Sequence, residues 1–210
     1  MLPFGKHKGE QISDVFNKDK KYIEWLVTTD WYNIRYPELM NISNKIIKKN
    51  NENIICNDYI IIYTDGACSR NGQIGAQCGI GIHFSEKNPI KLEDVSDKLD
   101  VVTATNNIAE LTAIDTAINM IIDNNYTNYN IEIYTDSRYC IDCIEKWYKM
   151  WIQKNNLNKK NIEIIKSIYD NIQNLHIAFK YIKAHTNLPD EHSMGNSEAD
   201  QLATNSLKKY

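Results

Sequence analysis

The chain has 210 residues, 42% of them hydrophobic and 24% charged, with a formal net charge of -3. That length accommodates one ordinary domain plus a small extra module, and no apolar run is long enough to span a bilayer. The acidic balance excludes indiscriminate binding to nucleic acid through bulk positive charge, and the N-terminal MLPFGKHKGE lacks the apolar stretch that a secretory signal places behind its charges. Five cysteines, an odd number at irregular spacing, do not make a disulfide framework. An intracellular, reducing compartment (cytoplasm, nucleus or viral factory) is expected rather than secretion.

Residues 1–40 read as a compact unit. Pro3-Phe4-Gly5-Lys6-His7-Lys8-Gly9 is a tight glycine-bounded loop with three potentially cationic side chains. An amphipathic segment around Ile12 to Phe16 follows, then Tyr22-Ile23-Glu24-Trp25-Leu26. By its chemistry alone the loop is a basic, solvated turn. The set resembles the FGKxKG…YxxWL module at the C-terminal end of exodeoxyribonuclease X-like nucleases, over roughly residues 2–40, and the resemblance implies an accessory role with nucleic acid. Residues 1–50 carry nine Lys and Arg against six Asp and Glu, leaving the acidic excess to the rest of the chain. The Asn- and Lys-rich stretch 41–57 reads as a helix tail followed by a linker, which sets a second unit at 58–210.

That unit opens on Tyr59, Ile60, Ile61, Ile62 and Tyr63, a β-branched and aromatic run too short for a helix and so a buried strand. Asp65 sits where the run gives out, and Asp-Gly is first of all a turn signal. The same plan recurs at Ile131 to Asp136, IEIYTD. Two parallel strands ending in carboxylates at one sheet edge would set Asp65 beside Asp136, and like charges that close call for a hard cation with oxygen ligands. Between them lie a second strand at Gly75 to Phe84, a third from Ile90 to Val101 and a helix from Asn106 to Asp123 with apolar residues at a period near 3.6. After Asp136 come a helix from Ser137 to about Trp151, another from about Asn161 to Tyr169, a strand from His176 to Ile182 and a last helix from about Asn196 to Leu207. Cys140 and Cys143 fall inside a helix with no second pair, which favours structural thiols over zinc or redox chemistry.

Tyr63-Thr64-Asp65-Gly66, Thr105-Asn106-Asn107-Ile108-Ala109-Glu110, Tyr134-Thr135-Asp136-Ser137, Ile182-Lys183-Ala184-His185 and Gly195-Asn196-Ser197-Glu198-Ala199-Asp200 together resemble ribonuclease H type 1. The likeness covers about residues 58–208 in the family's order. It implies an α/β fold, a ribonuclease H-like mixed five-stranded sheet with helices on both faces, beside the small N-terminal module. It also implies a hydrolase that cuts the RNA strand of RNA–DNA hybrids, leaving 3′-hydroxyl and 5′-phosphate ends. Asp65, Glu110, Asp136 and Asp200 would hold two Mg²⁺ ions, with Mn²⁺ a possible substitute, because phosphodiester hydrolysis needs an activated water and neutralised oxygens on both sides of the phosphorus.

By the same resemblance His185 is the mobile histidine that assists proton transfer or product departure, and it is favoured over His192. Asn71, Asn106 and Asn107 match positions that touch 2′-hydroxyls and bases. Trp147 and Trp151 match aromatics along the DNA strand, core packing being their other reading, while Thr105 and Asn161 match parts of a DNA phosphate pocket. Three departures stand out: Ala184 where the family has Gly, a long loop from Thr186 to Met194, and Thr103 where some members have Arg. The basic segment between Trp151 and Asn161 is also short, with Lys154, Lys159 and Lys160. A monomer acting on hybrid, away from membranes, is expected. The rivals are a hybrid-binding protein without catalysis, which would lack a carboxylate, and a junction resolvase or integrase-like nuclease, which would lack the TNNIAE element and the paired Trp residues.

Overall fold

In the computed structural model, residues 1–53, 56–100, 105–186 and 188–208 are described. Thr103 and the end of the third expected strand at Val101 lie outside them, as does part of the stretch read as a linker. Contacts divide the chain into two compact units, Met1–Ile55 and Cys56–Tyr210.

The first unit is helical: α1 (Ile12–Lys18), α2 (Lys20–Val27), α3 (Asp30–Arg35) and α4 (Pro37–Asn53). Leu2, Ile12, Val15, Phe16, Ile23, Leu26 and Tyr32 form its own buried core, and the Tyr32 hydroxyl hydrogen-bonds Ser43 inside it at 3.0 Å. The stretch read as helix tail and linker is helical as far as Asn53. The glycine-bounded loop is less basic than its sequence suggests. Lys6 pairs with Asp19 at 2.7 Å, Lys18 pairs with Glu10, and the two ring nitrogens of His7 face Glu10 at 3.1 Å and Asp19 at 3.0 Å. Glu10 lies three residues from His7, but Asp19 comes from twelve residues further on, so only folding reveals its share of the neutralisation.

The second unit is built on one sheet: β1 (Cys56–Ser69), β2 (Gln77–Phe84), β3 (Val95–Leu99), β4 (Tyr129–Thr135) and β5 (His176–Tyr181), in the order β3-β2-β1-β4-β5. β1 pairs antiparallel with β2 and parallel with β4, β2 pairs antiparallel with β3, and β4 pairs parallel with β5, so the sheet is mixed. The helices are α5 (Asn106–Asp123), α6 (Arg138–Asp142), a π-helical turn (Cys143–Trp147), α7 (Tyr148–Gln153), α8 (Ile162–Ile172) and α9 (Glu191–Ser206). Side chains alternate across a strand, and the two faces are told apart by what a Cβ would strike. On Gly66 it would run into the backbone of Ala109 and Glu110 in α5; on Gly81, one register step away on β2, it would run into the backbone of Ala199 and Ala203 in α9. Thus α5 and α9 cover opposite faces, and the main core, including Ile60, Ile62, Ile80, Ile82, Leu111, Ile114 and Ile118, fills the α5 side.

Several boundaries depart from the sequence reading. Asp65 and Gly66 are not a turn: β1 continues to Ser69 because β2 pairs with it there, Asp65 opposite Gly81. It is the parallel partner that stops, since the last β1–β4 pair is Tyr63 with Tyr134. The third strand is confined, among the described residues, to Val95–Leu99. The helix after Asp136 is interrupted by the π turn that ends on Trp147. The last helix starts at Glu191, where Asp190 caps it by accepting a hydrogen bond from the Ser193 amide at 3.0 Å, so the expected loop to Met194 is shorter. Cys140 and Cys143 are buried free thiols whose ionisation burial disfavours, as structural residues should be.

Candidate active site

Asp65 and Asp136 are placed by strand register. Tyr63 pairs with Tyr134 across the parallel β1–β4 ladder, so the residues two positions further along lie beside each other on the same face. Glu110 arrives from the opposite layer. Thr105 caps α5 by accepting from the Ile108 amide at 3.3 Å, and the bare Gly66 lets the first turns of that helix close onto β1. Ligand atoms of Asp65, Glu110 and Asp136 all lie within 4.8 Å of one another.

Burial raises all three carboxyls, and repulsion within the trio adds to the shifts of Asp65 and Glu110. Asp65 is pushed up to about 7, chiefly by burial and by Asp136, although it accepts the Gly66 amide at 2.8 Å. Glu110 is raised well above the usual range by burial and by Asp65 and Asp136. Asp136 is raised mainly by burial, with His185 opposing and Asp200 adding to the shift. The Glu110 Oε2 atom is buried and has no hydrogen-bond partner among the described residues. A buried carboxylate oxygen left bare is costly. The donor set of hard oxygens, one of them orphaned, therefore fits a hard divalent cation.

Asp200 comes from the middle of α9 and stands outside that close trio, although its charge is felt by both Asp65 and Asp136. His185 Nδ1 lies 3.9 Å from Asp200 Oδ2, its side chain is 76% exposed, and its backbone takes a left-handed φ of 51°. Together with Thr186, Ser193, Asn196 and Asp200 it lines a cleft of about 230 Å³.

His192 has a different setting. Tyr134 donates its hydroxyl to Glu132 at 3.0 Å, so in the neutral ring His192 Nε2–H donates to Tyr134 at 3.3 Å and Nδ1 accepts from Tyr63 at 3.0 Å. The ring also stacks on Tyr134, with centroids 4.2 Å apart. Lys87 pairs with Glu191 at 2.5 Å, and Gly195 leaves room for the Tyr63 ring against the helix. These contacts pin the first turns of α9, which carries Asp200. Sequence reasoning missed this clamp. The available signal was the repeated Tyr-Thr-Asp, which sets a tyrosine on the site face two residues before each aspartate.

The remaining expected residues fall into two groups. The Asn71 side-chain oxygen accepts from the Asn106 amide at 3.1 Å, tying the β1–β2 connection to the start of α5, where Asn106 and Asn107 are exposed. Asn161, in a left-handed conformation, donates to the Tyr139 hydroxyl at 3.3 Å. The Tyr139 ring lies 6.0 Å from Trp147, and Trp147 lies 6.3 Å from Trp151. Both tryptophans are half-buried against the core, so packing and an open aromatic edge coexist.

The RNase H family matches this chain over residues 57–208, and the exodeoxyribonuclease X-like C-terminal family matches residues 2–28. A probable ribonuclease H of Acanthamoeba polyphaga mimivirus is 37% identical over 145 residues, covering 66% of this chain and 62% of that protein. The ribonuclease H of Orientia tsutsugamushi is 36% identical over 149 residues, covering 69% of this chain and 79% of that protein. Among solved structures, the RNase H domain of PFV superposes with a TM-score of 0.57 at 25% identity, covering 70% of this chain and 93% of that domain. With a family match across the whole second unit, relatives above 30% identity and the same mixed sheet, the chain belongs to the RNase H family.

Proposed function

We propose that the protein is an endonuclease that hydrolyses the RNA strand of RNA–DNA hybrids with Mg²⁺, leaving 3′-hydroxyl and 5′-phosphate ends. The observation that carries this reading is the convergence of Asp65, Glu110 and Asp136 within 4.8 Å in a member of the RNase H family. Asp65, Glu110, Asp136 and Asp200 hold two divalent cations on this reading, with Mn²⁺ able to replace Mg²⁺. When bound, such cations make a water nucleophilic at neutral pH and neutralise charge on the attacking and departing oxygens. The chain's own residues do the rest. Asn71, Asn106 and Asn107 read the 2′-hydroxyls that mark an RNA strand, and Thr105, Asn161, Trp147 and Trp151 hold the DNA strand. His185, exposed and beside Asp200, moves a proton or helps the product leave.

His185 and His192 separate in a paired test. His185→Ala lowers kcat by about a hundredfold and leaves the melting temperature unchanged. His192→Phe strands the buried Tyr63 hydroxyl and costs about 1–3 kcal/mol of stability. Equal loss of stability in both variants would contradict the assignment.

The reading itself is tested with end-labelled RNA–DNA hybrid, RNA–RNA duplex, DNA–DNA duplex and a four-way junction, each with Mg²⁺ or Mn²⁺. The expected result is cleavage of the RNA strand of the hybrid alone. Folded protein that binds hybrid but cuts nothing would make it a reader, and junction cutting would make it a resolvase. We further infer that residues 1–40 are an accessory nucleic-acid module, supported by their match to a nuclease-associated family. Since Lys6 and Lys18 are already paired, Lys8, Lys21 and exposed Trp25 and Trp31 are the contacts expected to remain. Running the same panel without residues 1–50 should weaken hybrid affinity and flatten its salt dependence; unchanged values would remove the role.

A further inference from the structure

Arg138 and Tyr181 meet at the end of the sheet that carries the carboxylates. Tyr181 is the last residue of β5 and pairs in register with Thr135, the residue before Asp136. Arg138 opens α6, two positions beyond Asp136. Its guanidinium carbon lies 4.0 Å from the centroid of the Tyr181 ring, nearer than any other cation to an aromatic ring among the described residues. Both side chains are exposed.

An exposed cation at the rim of an acidic site ordinarily pairs with a carboxylate, as Lys180 does with Glu132 at 3.5 Å. Arg138 forms no ion pair among the described residues, and the Tyr181 ring holds it instead. A guanidinium resting on an aromatic ring keeps its fork of N–H donors free for another partner, and its geometry matches a phosphate in two hydrogen bonds. The ring also restricts the side chain before substrate arrives, which lowers the entropy lost on binding. Two residues of extended chain span at most about 7 Å, and one nucleic-acid strand advances about 3.4 Å per nucleotide along the duplex axis. If Asp136 serves the phosphate being cut, the neighbouring phosphate of that strand falls within reach of Arg138.

We propose that Arg138, positioned by Tyr181, binds a backbone phosphate of the RNA strand next to the scissile one. This rests on the hybrid-nuclease reading above. Arg138 is then the contact and Tyr181 the positioning residue, on a side of the site that the sequence reading left without a cation.

The test uses the full chain, with hybrid affinity measured by fluorescence anisotropy in chelator and steady-state cleavage measured in Mg²⁺. Arg138→Ala raises both Kd and KM about tenfold or more, changes kcat much less, and lowers the slope of log affinity against log salt by about 0.7–0.9. Arg138→Lys restores the salt slope but only part of the affinity. Tyr181→Phe keeps the ring and behaves as wild type, whereas Tyr181→Leu weakens KM without lowering kcat. A single uncharged methylphosphonate beside the cleavage site in the RNA strand costs the wild type affinity and costs Arg138→Ala nothing further. Unchanged affinity and salt slope in Arg138→Ala, additive losses with that linkage, or non-additivity only with a DNA-strand linkage would each overturn the proposal. Wild type that binds hybrid without cutting it would defeat the nuclease reading separately, because the anisotropy measurements report on Arg138 without cleavage.

Discussion

Asp65→Asn is expected to abolish hybrid cleavage, by about a thousandfold or more, and at the same time to make the metal-free protein more stable at neutral pH. Both effects follow from one arrangement. Asp65 is buried with Glu110 and Asp136, and its carboxyl is pushed up from 3.8 to about 7, first by burial and then by Asp136. In the unfolded chain the same group loses its proton near pH 4. Between those values the folded state keeps a proton that the unfolded state has released, so the free energy of unfolding falls as pH rises from about 4 to about 7. The stability contributed by the protonated carboxyl is complete below pH 4 and lost by about pH 7, with the raised Glu110 extending the loss upward. An Asn at position 65 cannot ionise and also relieves its two neighbours. Melts in chelator should therefore show wild type losing stability with rising pH and the variant losing less, with a gap on the order of a few kcal/mol at pH 7 and convergence near pH 4. Added Mg²⁺ should stabilise wild type by mass action and the variant much less. A variant that melts below wild type at pH 7 in chelator would show that Asp65 is structural.

The second large effect is expected from Gly66→Ala. A Cβ there would meet the Glu110 amide nitrogen and the Ala109 carbonyl carbon, which belong to the backbone of α5 and cannot turn aside as a side chain can. The helix start has to move as a unit. Overpacking of this kind costs about 1–3 kcal/mol, and displacing Glu110 by about 1 Å can cost about a hundredfold in rate. Loss of both stability and kcat is the expected outcome, read by urea unfolding and hybrid cleavage. Wild-type stability together with wild-type kcat would show that α5 does not depend on the bare Gly66. The comparison with Asp65→Asn is informative because the two variants move stability in opposite directions while both remove activity.

How the sequence relates to this site is seen best residue by residue. Asp65 and Asp136 are legible because strand periodicity and the repeated Tyr-Thr-Asp are local signals, and α5 is legible because its apolar residues recur at helical spacing over 18 residues. Glu110 is legible as part of α5, but its nearness to Asp65 depends on Gly66, whose neighbour in sequence made it look like a turn. The start of α9 was misplaced because Asp190 acts as a cap among polar residues that equally suit a loop. His192 illustrates the same limit from another side. The Ile182-Lys183-Ala184-His185 motif favours His185, but nothing near His192 in sequence shows what it does, which depends on Tyr63 and Tyr134, 129 and 58 residues away.

By itself, the sequence determined the kinds of element and their order and singled out Asp65 and Asp136, because period, strand propensity and the repeated motif act over a few residues, whereas Glu110 and Asp200 stood out only through the family resemblance. The tertiary structure decided which of those groups face one another. Strand register brought Asp136 beside Asp65, a missing Cβ admitted Glu110, the carboxylate of Asp19 just beyond α1 paired with Lys6 and His7, and the end of β5 gave Arg138 a ring to rest on. Burial, repulsion and hydrogen bonding depend on distance in space, and that distance is set only when the elements pack.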